Sequence, residues 1–247
     1  MLPLFKSDFS IGKSILRLDL KSISEKPDSS IFNILSENSL SKLVLVEDSM
    51  IGFMEAFSNC KELGIDLIYG IKITVAENLD PKTSHKIIIF AKNEFGCKSL
   101  SKIYTYSQVD GGGFIDYKNL KKLWSDNLFL AIPFYDSFIF NNIMYFNECI
   151  PEFSFVEPTF FIESNNLPFD DLIKTHVLNY CEVNKFKTND VKSIYYNKRS
   201  DFSAYQTYKC LCNRGPSTRS LSLETPNLNH CSSDEFCFES YLDHESS

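Results

Sequence analysis

The spacing of hydrophobic residues between positions 43 and 76 predicts one strand, one helix and a second strand. Residues 43–46 form a short, continuous apolar run, which is typical of a strand buried on both faces. From residue 52 to residue 63, apolar side chains recur every three or four positions, and Gly64 follows as a helix C-cap. Residues 65–75 then return as a strand. A strand, a crossover helix and a strand predict two parallel neighbours in one sheet.

Similar alternation continues along the rest of the chain. The sequence predicts strands at 86–91, 128–133 and 159–163, a short strand that ends at 188–190, and helices at 93–104, 115–124, 139–148, 169–184 and 197–207. Residues 1–10 add an apolar first strand that delivers Lys6 and Asp8 to a polar turn. This number of alternating elements favours an α/β barrel over an open sheet. We expect a barrel over residues 1–214 and a loosely attached, Ser-rich loop and tail over residues 215–247.

The length, the net charge and the lack of a long apolar run limit the classes of function that the chain can have. The chain has 247 residues and a net charge of −7, which fits one domain and argues against a broad surface for phosphate backbones. We therefore expect weak or no direct nucleic-acid binding. The sequence shows no signal peptide and no apolar run as long as a membrane span, so we expect a cytoplasmic protein without membrane contact.

The eight cysteines are scattered, mostly through apolar or helical segments, which predicts free thiols in place of disulfides. Four of them lie near the end of the chain, at Cys210, Cys212, Cys231 and Cys237, with His230 close by. These are soft ligands that could hold zinc. Their spacing differs from the two intervening residues that structural zinc sites favour, so unlinked thiols are the preferred interpretation and zinc the alternative.

Four motifs, in order and at matching spacing, resemble one family. They are PLFKSDFSI, the central LVLVEDSMIGFMEAFSNCKELGIDLIYGIKITVA, KIIIFAKNEFGCKSLSKIYTYS and FKTNDVKSIYYNKRSDFSAYQTYKCLCNRG. Together they are similar to the polymerase-and-histidinol-phosphatase (PHP) domain of the bacterial DNA polymerase III alpha subunit. The resemblance implies a distorted (β/α)7 barrel with a metal cluster at its mouth, used for phosphoester hydrolysis or proofreading.

The resemblance also implies that the metal ligands are replaced. The family's ligand positions fall on Leu4, Lys6, Lys13, Val46, Glu47, Lys72, Lys86, Asp190 and Lys192. Of these, Asp190 is retained and Glu47 is an acidic stand-in. A lysine ammonium has no lone pair for a metal and repels cations, so we expect a degenerate centre with no metal, no cofactor and no catalytic residue. The lysines would either pair with Asp190 and Glu47 or attract an anion.

These observations predict a stand-alone, catalytically degenerate PHP domain that acts as a structural or binding module in DNA replication. Its expected partners are a separately encoded polymerase portion or a proofreading exonuclease. The chain is too short to hold polymerase domains as well. Two alternatives stay open at this point. One is a residual metal-dependent phosphoesterase or 3′–5′ exonuclease that uses Asp190 and Glu47, with His85 as a further candidate. The other is a truncated, non-functional polymerase fragment.

Overall fold

The strands form a closed barrel, which confirms the predicted fold class. The computed structural model describes residues 1–80, 83–212 and 232–245. The strands are β1 (Leu2–Phe5), β2 (Lys42–Glu47), β3 (Asp66–Val75), β4 (His85–Ala91), β5 (Leu128–Ile132), β6 (Thr159–Ile162) and β7 (Lys187–Ile194). The helices are α1 (Ser22–Glu25), α2 (Ile31–Glu37), α3 (Phe53–Leu63), α4 (Glu94–Val109), α5 (Tyr117–Leu123), α6 (Phe138–Tyr145), α7 (Asp170–Asn184), α8 (Phe202–Cys212) and α9 (Phe238–Glu245). Within the described residues, no helix is both long and apolar enough to cross a membrane.

The order of the strands around the barrel follows the sequence, and β1 closes it by pairing with β7. The pairings of β4 with β3 and β5 are antiparallel, and all the others are parallel. The first residues of β4 therefore lie at the same end as the carboxyl ends of the other strands. We call this end the mouth.

The predicted strand–helix–strand unit is present as β2, α3 and β3, and its two strands are parallel. Gly64 ends α3 in the left-handed conformation, at φ 68°, as a C-cap glycine should. The Asn93 side chain caps α4 by accepting a hydrogen bond from the Gly96 amide. Local capping thus accounts for the end of α3 and the start of α4.

The inside of the barrel is filled by apolar side chains, which form a cluster of their own: Leu4, Val44, Val46, Ile88, Phe90, Ala131, Phe161 and Val191. Gly70 of β3 belongs to the same interior, because a Cβ there would lie 2.6 Å from the Phe90 ring. The interior is therefore a packed plug, and it forms the floor on which the mouth rests. A larger apolar layer packs between the outside of the strands and the helices.

Two predictions about the last third of the chain are wrong. The final strand continues past residue 190 to Ile194, because Val191 and Ile194 are both buried and pair with β1. Residues 232–245, predicted to be part of a loose tail, pack against the barrel instead. The Phe238 ring stacks on Phe5 in the main core, and the Met1 amino group pairs with Glu245. The proposed boundary near residue 214 falls outside the described residues.

Candidate functional site at the barrel mouth

A cavity of about 670 Å³ opens at the mouth. Its floor is made by Leu4, Val46, Ile88 and Phe161, which belong to the interior plug. Within the described residues, its charged lining consists of five lysines and three carboxylates: Lys6, Lys13, Lys72, Lys86, Lys209, Asp48, Asp136 and Glu163. Because strand residues alternate between the two faces, side chains at or just beyond the mouth end of the strands point into this space.

Two of the lysines form ion pairs across the mouth. The Lys6 Nζ lies 3.0 Å from Asp48 Oδ1, and the Lys72 Nζ lies 2.9 Å from Asp136 Oδ2. The Lys6 side chain is only 8 % exposed, so its pair with Asp48 compensates a largely buried charge. Burial nevertheless lowers the pKa of Lys6, and the charges of Asp48 and Glu47 only partly offset this. For Lys72 burial acts in the same direction, but the charge of Asp136, its hydrogen bond with Lys72 and the charges of Tyr195 and Asp48 together outweigh burial, and the pKa is raised.

Lys86 has a different environment. Its Nζ donates to the Thr74 hydroxyl on the neighbouring strand. Among the described residues, neither Lys86 nor Lys13 has a carboxylate within ion-pair distance. Burial lowers the pKa of Lys86, and the charge of Lys72 lowers it further. Among the residues that the structure describes, the lining of the mouth therefore has more lysines than carboxylates.

Glu47 does not point into the cavity. It is almost fully buried behind the mouth, where its Oε1 accepts hydrogen bonds from the Ser7 amide at 2.8 Å and the Ser7 hydroxyl at 2.6 Å. Its other oxygen accepts from the Ser10 hydroxyl. Burial raises the pKa of Glu47, although Lys6 and these donors favour the charged form. Glu47 therefore anchors the loop after β1 and is not available as an open ligand.

Glu163 follows β6 and is tied to β7. Its Oε1 accepts from the Ser193 hydroxyl at 2.9 Å, and its Oε2 accepts from the Ser193 amide at 3.0 Å and from the Asn165 side chain at 3.1 Å. Burial raises the pKa of Glu163, and the donors from Ser193 oppose this shift. This carboxylate thus joins the ends of β6 and β7 and shapes one wall of the cavity.

The residues present do not fit the metal cluster that the PHP resemblance implies. Four of the expected ligand positions line the mouth and carry lysine, namely Lys6, Lys13, Lys72 and Lys86, and an ammonium cannot ligate a metal. In the parts of the chain that the structure describes, no three His, Cys, Asp or Glu side chains come together as a metal-binding group. Asp48 and Asp136 are each engaged by a lysine.

The other expected ligand positions fall into two groups, one that lines the mouth cavity and one that does not. Leu4 and Val46 line the cavity with the four lysines, but Asp190 and Lys192 do not. Both lie on the outer face of β7, because Val191 points into the barrel interior and successive strand residues alternate. Asp190 is exposed and forms no ion pair with any lysine among residues 1–80, 83–212 and 232–245. The predicted pairing of Asp190 with mouth lysines is therefore wrong, and Ser193 and Tyr195 occupy the mouth side of β7.

Lys192 is instead buried beneath the C-terminal segment. Its side chain is 1 % exposed and its Nζ lies 3.6 Å from Glu235 Oε2. Arg199 also pairs with Glu235, at 3.4 Å, and with Asp243, at 2.7 Å. We call Lys192, Arg199 and Glu235 the sealed cluster. These ion pairs hold residues 232–245 against the barrel. None of the three residues lines the mouth cavity.

Sequence reasoning missed several mouth residues. Asp48 directly follows β2 and Glu163 directly follows β6, so a charged residue immediately after a buried strand was a usable signal for both. Asp136 lies a few residues beyond β5 and carried a weaker signal of the same kind. Lys209 comes from α8, and its approach to the mouth depends on how that helix docks. No local pattern could have predicted it.

The remaining candidates lie elsewhere. His85 is buried outside the barrel, where its Nε2 lies 2.8 Å from the Tyr117 hydroxyl and burial lowers its pKa to about 4. It therefore does not join Glu47 or Asp190. All cysteines among the described residues are free: Cys60, Cys97, Cys149, Cys181, Cys210, Cys212 and Cys237. Cys231 and His230 fall outside the described residues, so the zinc alternative stays untested.

A closed seven-stranded α/β barrel with a charged mouth is the class that fold and site define. The sequence model of the PHP domain family matches residues 30–136, which include Glu47, Asp48, Lys72, Lys86 and Asp136. The resemblance to the PHP domain is thereby confirmed for this part of the chain.

Two further comparisons complete the picture. The crystal structure of a candidate metal-dependent phosphoesterase from Bifidobacterium adolescentis is 18 % identical over 41 % of this chain and 32 % of that one, with a TM-score of 0.25. This chain therefore spans about a third of that protein's length. No curated protein matches the chain.

Proposed function

We propose that the chain is a catalytically degenerate PHP-type domain that serves as a binding or structural module in DNA replication. The replication role rests on the order of the sequence motifs, which resemble those of the polymerase III alpha subunit. The observation that supports degeneracy best is the chemistry of the mouth: Lys6, Lys72 and Lys86 stand where strand ends would have to offer ligands. Without clustered metals, this site has no means to activate water or stabilise a leaving oxygen.

The positions of three side chains support the degenerate domain over the alternative of a residual phosphoesterase. Glu47 is bound to Ser7 and Ser10, Asp190 lies exposed on the outer face of β7, and His85 packs against Tyr117. These three side chains face three different surroundings and do not form one site. The well-packed plug and the buried ion pairs describe an intact barrel, which favours a retained module over a decaying fragment.

Metal content and turnover test the proposal together. The protein is purified with Mn²⁺ and Zn²⁺ in the buffers, exchanged into metal-free buffer, and examined by elemental analysis and by hydrolysis of phosphoesters and of single-stranded DNA. We expect no stoichiometric metal and no turnover above background. Two or more metals per chain, with turnover that Asp48→Ala abolishes and Asp190→Ala leaves unchanged, would overturn degeneracy and place an active centre in the mouth.

Partnership is tested by coexpressing the chain with the replicative polymerase and proofreading exonuclease of the same genome. A stable complex in size-exclusion chromatography at micromolar concentration is the expected result. Elution of every component as a separate species would contradict the replication role while leaving the degenerate site unaffected.

A further inference from the structure

A second large cavity lies on the outside of the barrel, between α3 and α4, with a volume of about 1020 Å³. We call it the α3–α4 groove, and its apolar lining includes Met50, Phe53, Met54, Phe57, Leu67 and Tyr69. β3 and β4 are antiparallel neighbours, which need no crossover helix, and the described residues between them contain only a short 3-10 turn at Glu77–Leu79. The outer face of this strand pair is therefore flanked by α3 and α4 and has no helix of its own in the described chain.

The α3 wall of the groove is apolar and open to solvent. Phe57 is 48 % exposed and Met54 is 65 % exposed, whereas only two residues of α3 are buried against the barrel. The Phe53 ring stacks on Phe57, with 6.0 Å between the ring centroids, and meets Tyr69 edge-on at 5.1 Å. A row of rings thus runs from the floor of the groove to the surface. Contiguous apolar side chains on a concave surface mark an interaction site, unlike apolar residues that are exposed singly.

Four exposed lysines surround the same groove: Lys61 of α3, Lys92 just before α4, and Lys98 and Lys102 of α4. Among residues 1–80, 83–212 and 232–245, Lys61 and Lys102 have no carboxylate within ion-pair distance. Lys98 meets Glu94 only at 4.0 Å, and an exposed pair of this kind contributes little. The Lys92 Nζ donates to the Asp126 carbonyl at 2.9 Å, which leaves the charge of Lys92 unneutralised.

The groove is therefore positive on a chain that is negative as a whole. Its described lining has four lysines and two carboxylates, Asp66 and Glu94, whereas the net charge of the chain is −7. A local reversal of charge selects partners by sign, because a partner of like charge is repelled there. The expected partner surface is apolar in the middle and acidic at its edges.

We propose that the α3–α4 groove binds an amphipathic helix of a partner protein, with the apolar face of that helix in the groove and its acidic side chains beside the lysines. A trough between two helices accepts a third helix, whose apolar residues recur every three or four positions. The unbranched side chains of Met50 and Met54 adapt to the shape of such a partner. A second copy of this chain fits less well, because a twofold contact would bring two sets of lysines together.

Binding of three synthetic peptides to the full chain tests this inference by fluorescence anisotropy. Each peptide has about 18 residues, which as a helix spans about 27 Å. The first carries Leu and Phe at helical spacing with Glu beside them, the second has the same residues in scrambled order, and the third has Lys in place of Glu. We expect saturable binding of the first at micromolar concentration, and binding weaker by roughly tenfold or more for the other two.

The third peptide separates the groove from the charge of the whole molecule. A chain with a net charge of −7 attracts a basic peptide non-specifically, so a preference for the acidic peptide reports the local lysines. No saturable binding of the acidic peptide, or equal or tighter binding of the scrambled or basic peptide, would overturn the proposal.

A substitution in the apolar wall locates the site. Phe57→Ser changes a half-exposed side chain, and we expect it to weaken binding of the acidic peptide by roughly tenfold while the circular dichroism spectrum stays unchanged. The matched control is Leu172→Ser on α7, which is 45 % exposed and lies outside the groove. Equal affinity in the two variants would overturn the proposed location.

Charge reversal tests the part played by the lysines. The double variant Lys61→Glu, Lys102→Glu should lose the acidic peptide and bind the basic peptide more tightly than before. The control reverses two exposed lysines outside the groove, in the double variant Lys118→Glu, Lys174→Glu, and should keep the preference of the unmodified chain. The same loss in both double variants would show that the net charge of the chain, and not the groove, governs binding.

Two further results would assign the groove to another occupant. A dimer of the chain alone that Phe57→Ser dissociates would assign it to a second copy, and cosedimentation with phosphatidylserine vesicles that Phe57→Ser abolishes would assign it to a membrane; either overturns the proposal. The inference extends the proposed binding role by naming a surface and a partner chemistry, and it does not depend on the metal content of the mouth. Failure of the acidic peptide together with a stable complex on coexpression overturns this inference alone.

Discussion

The mouth and the sealed cluster both bury lysines beside carboxylates at the end of the same barrel wall, yet they differ in charge balance and in access. In the mouth, five lysines meet three carboxylates around an open cavity. In the sealed cluster, Lys192 and Arg199 share Glu235, Asp243 and Glu239 at the exposed rim add two further carboxylates, and residues 232–245 cover Lys192. In the first arrangement the described lysines outnumber the carboxylates, whereas the second uses its charge to hold the chain together.

The two sites differ because neighbouring residues of β7 point their side chains to opposite faces of the strand. Lys192 follows Val191, which fills the barrel interior, so its side chain points outward and finds Glu235. Ser193, the next residue, points into the mouth. Lysines in similar sequence settings therefore have unrelated roles, and the face of the strand decides which role each one has.

The largest expected effect is on the sealed cluster. Glu235→Ala leaves Lys192 buried without its carboxylate, and removal of one partner from a buried pair costs about 3–5 kcal/mol of unfolding free energy. Urea denaturation followed by circular dichroism measures it. The matched control is Glu239→Ala, whose exposed carboxylate pairs with the Arg199 guanidinium at 3.8 Å and accepts a hydrogen bond from the Arg199 amide at 2.8 Å, and for which we expect a smaller loss of about 1–2 kcal/mol. Equal losses in the two variants would contradict the distinction between a sealed cluster and its rim.

A second prediction concerns repulsion in the mouth. Lys86→Met removes a partly buried charge that Lys72 repels, and we expect the unliganded protein to become more stable by about 1 kcal/mol. Lys98→Met on the exposed face of α4 should change the unfolding free energy by no more than about 0.5 kcal/mol. If Lys86→Met destabilises the protein instead, the mouth lysines are neutralised more completely than the ion pairs indicate.

Features that depend on residues close together in the sequence could be predicted, whereas features that depend on contacts between distant residues could not. Apolar periodicity and caps such as Gly64 and Asn93 are local, and they predicted the central unit and the barrel correctly. The end of β7 was misplaced, because the residues after Asp190 look polar until Ile194 is seen to pair with Phe5 of β1. The partner of Lys192 lies more than forty residues away, so no local pattern could have assigned that lysine to the outer face.

The smallest expected effect distinguishes two neighbouring carboxyls at the edge of the mouth. Burial raises the pKa of Glu47 above its ordinary value of 4.5, and Lys6 offsets this only in part. Burial would also raise the pKa of Asp48, but the charges of Lys6 and Lys13 outweigh it and lower that pKa below 3.8. Carbon-13 NMR of the side-chain carboxyls should therefore show Glu47 titrating at higher pH than a free glutamate and Asp48 at lower pH than a free aspartate.

The two shifts act on stability in opposite directions. Because the folded pKa of Glu47 is raised, its contribution is fully present below pH 4.5 and is lost as the pH rises through the folded pKa. Because the folded pKa of Asp48 is lowered, its contribution is present above pH 3.8 and is lost as the pH falls through the folded pKa. Asp48→Asn should therefore flatten the acid limb of the stability curve. An unchanged acid limb would show that the pair of Lys6 with Asp48 does not form in solution.

Titration of the metal-stripped protein with Mn²⁺ tests the central claim, that lysines have replaced the metal centre of the mouth. We predict no saturable heat for the unmodified chain or for Lys192→His, whose position is on the sealed side. The triple variant Lys6→His, Lys72→Glu, Lys86→His places ligands beside Asp48 and Asp136, and we predict measurable Mn²⁺ binding there. Stoichiometric Mn²⁺ binding by the unmodified chain, lost in Asp48→Ala, would contradict the account.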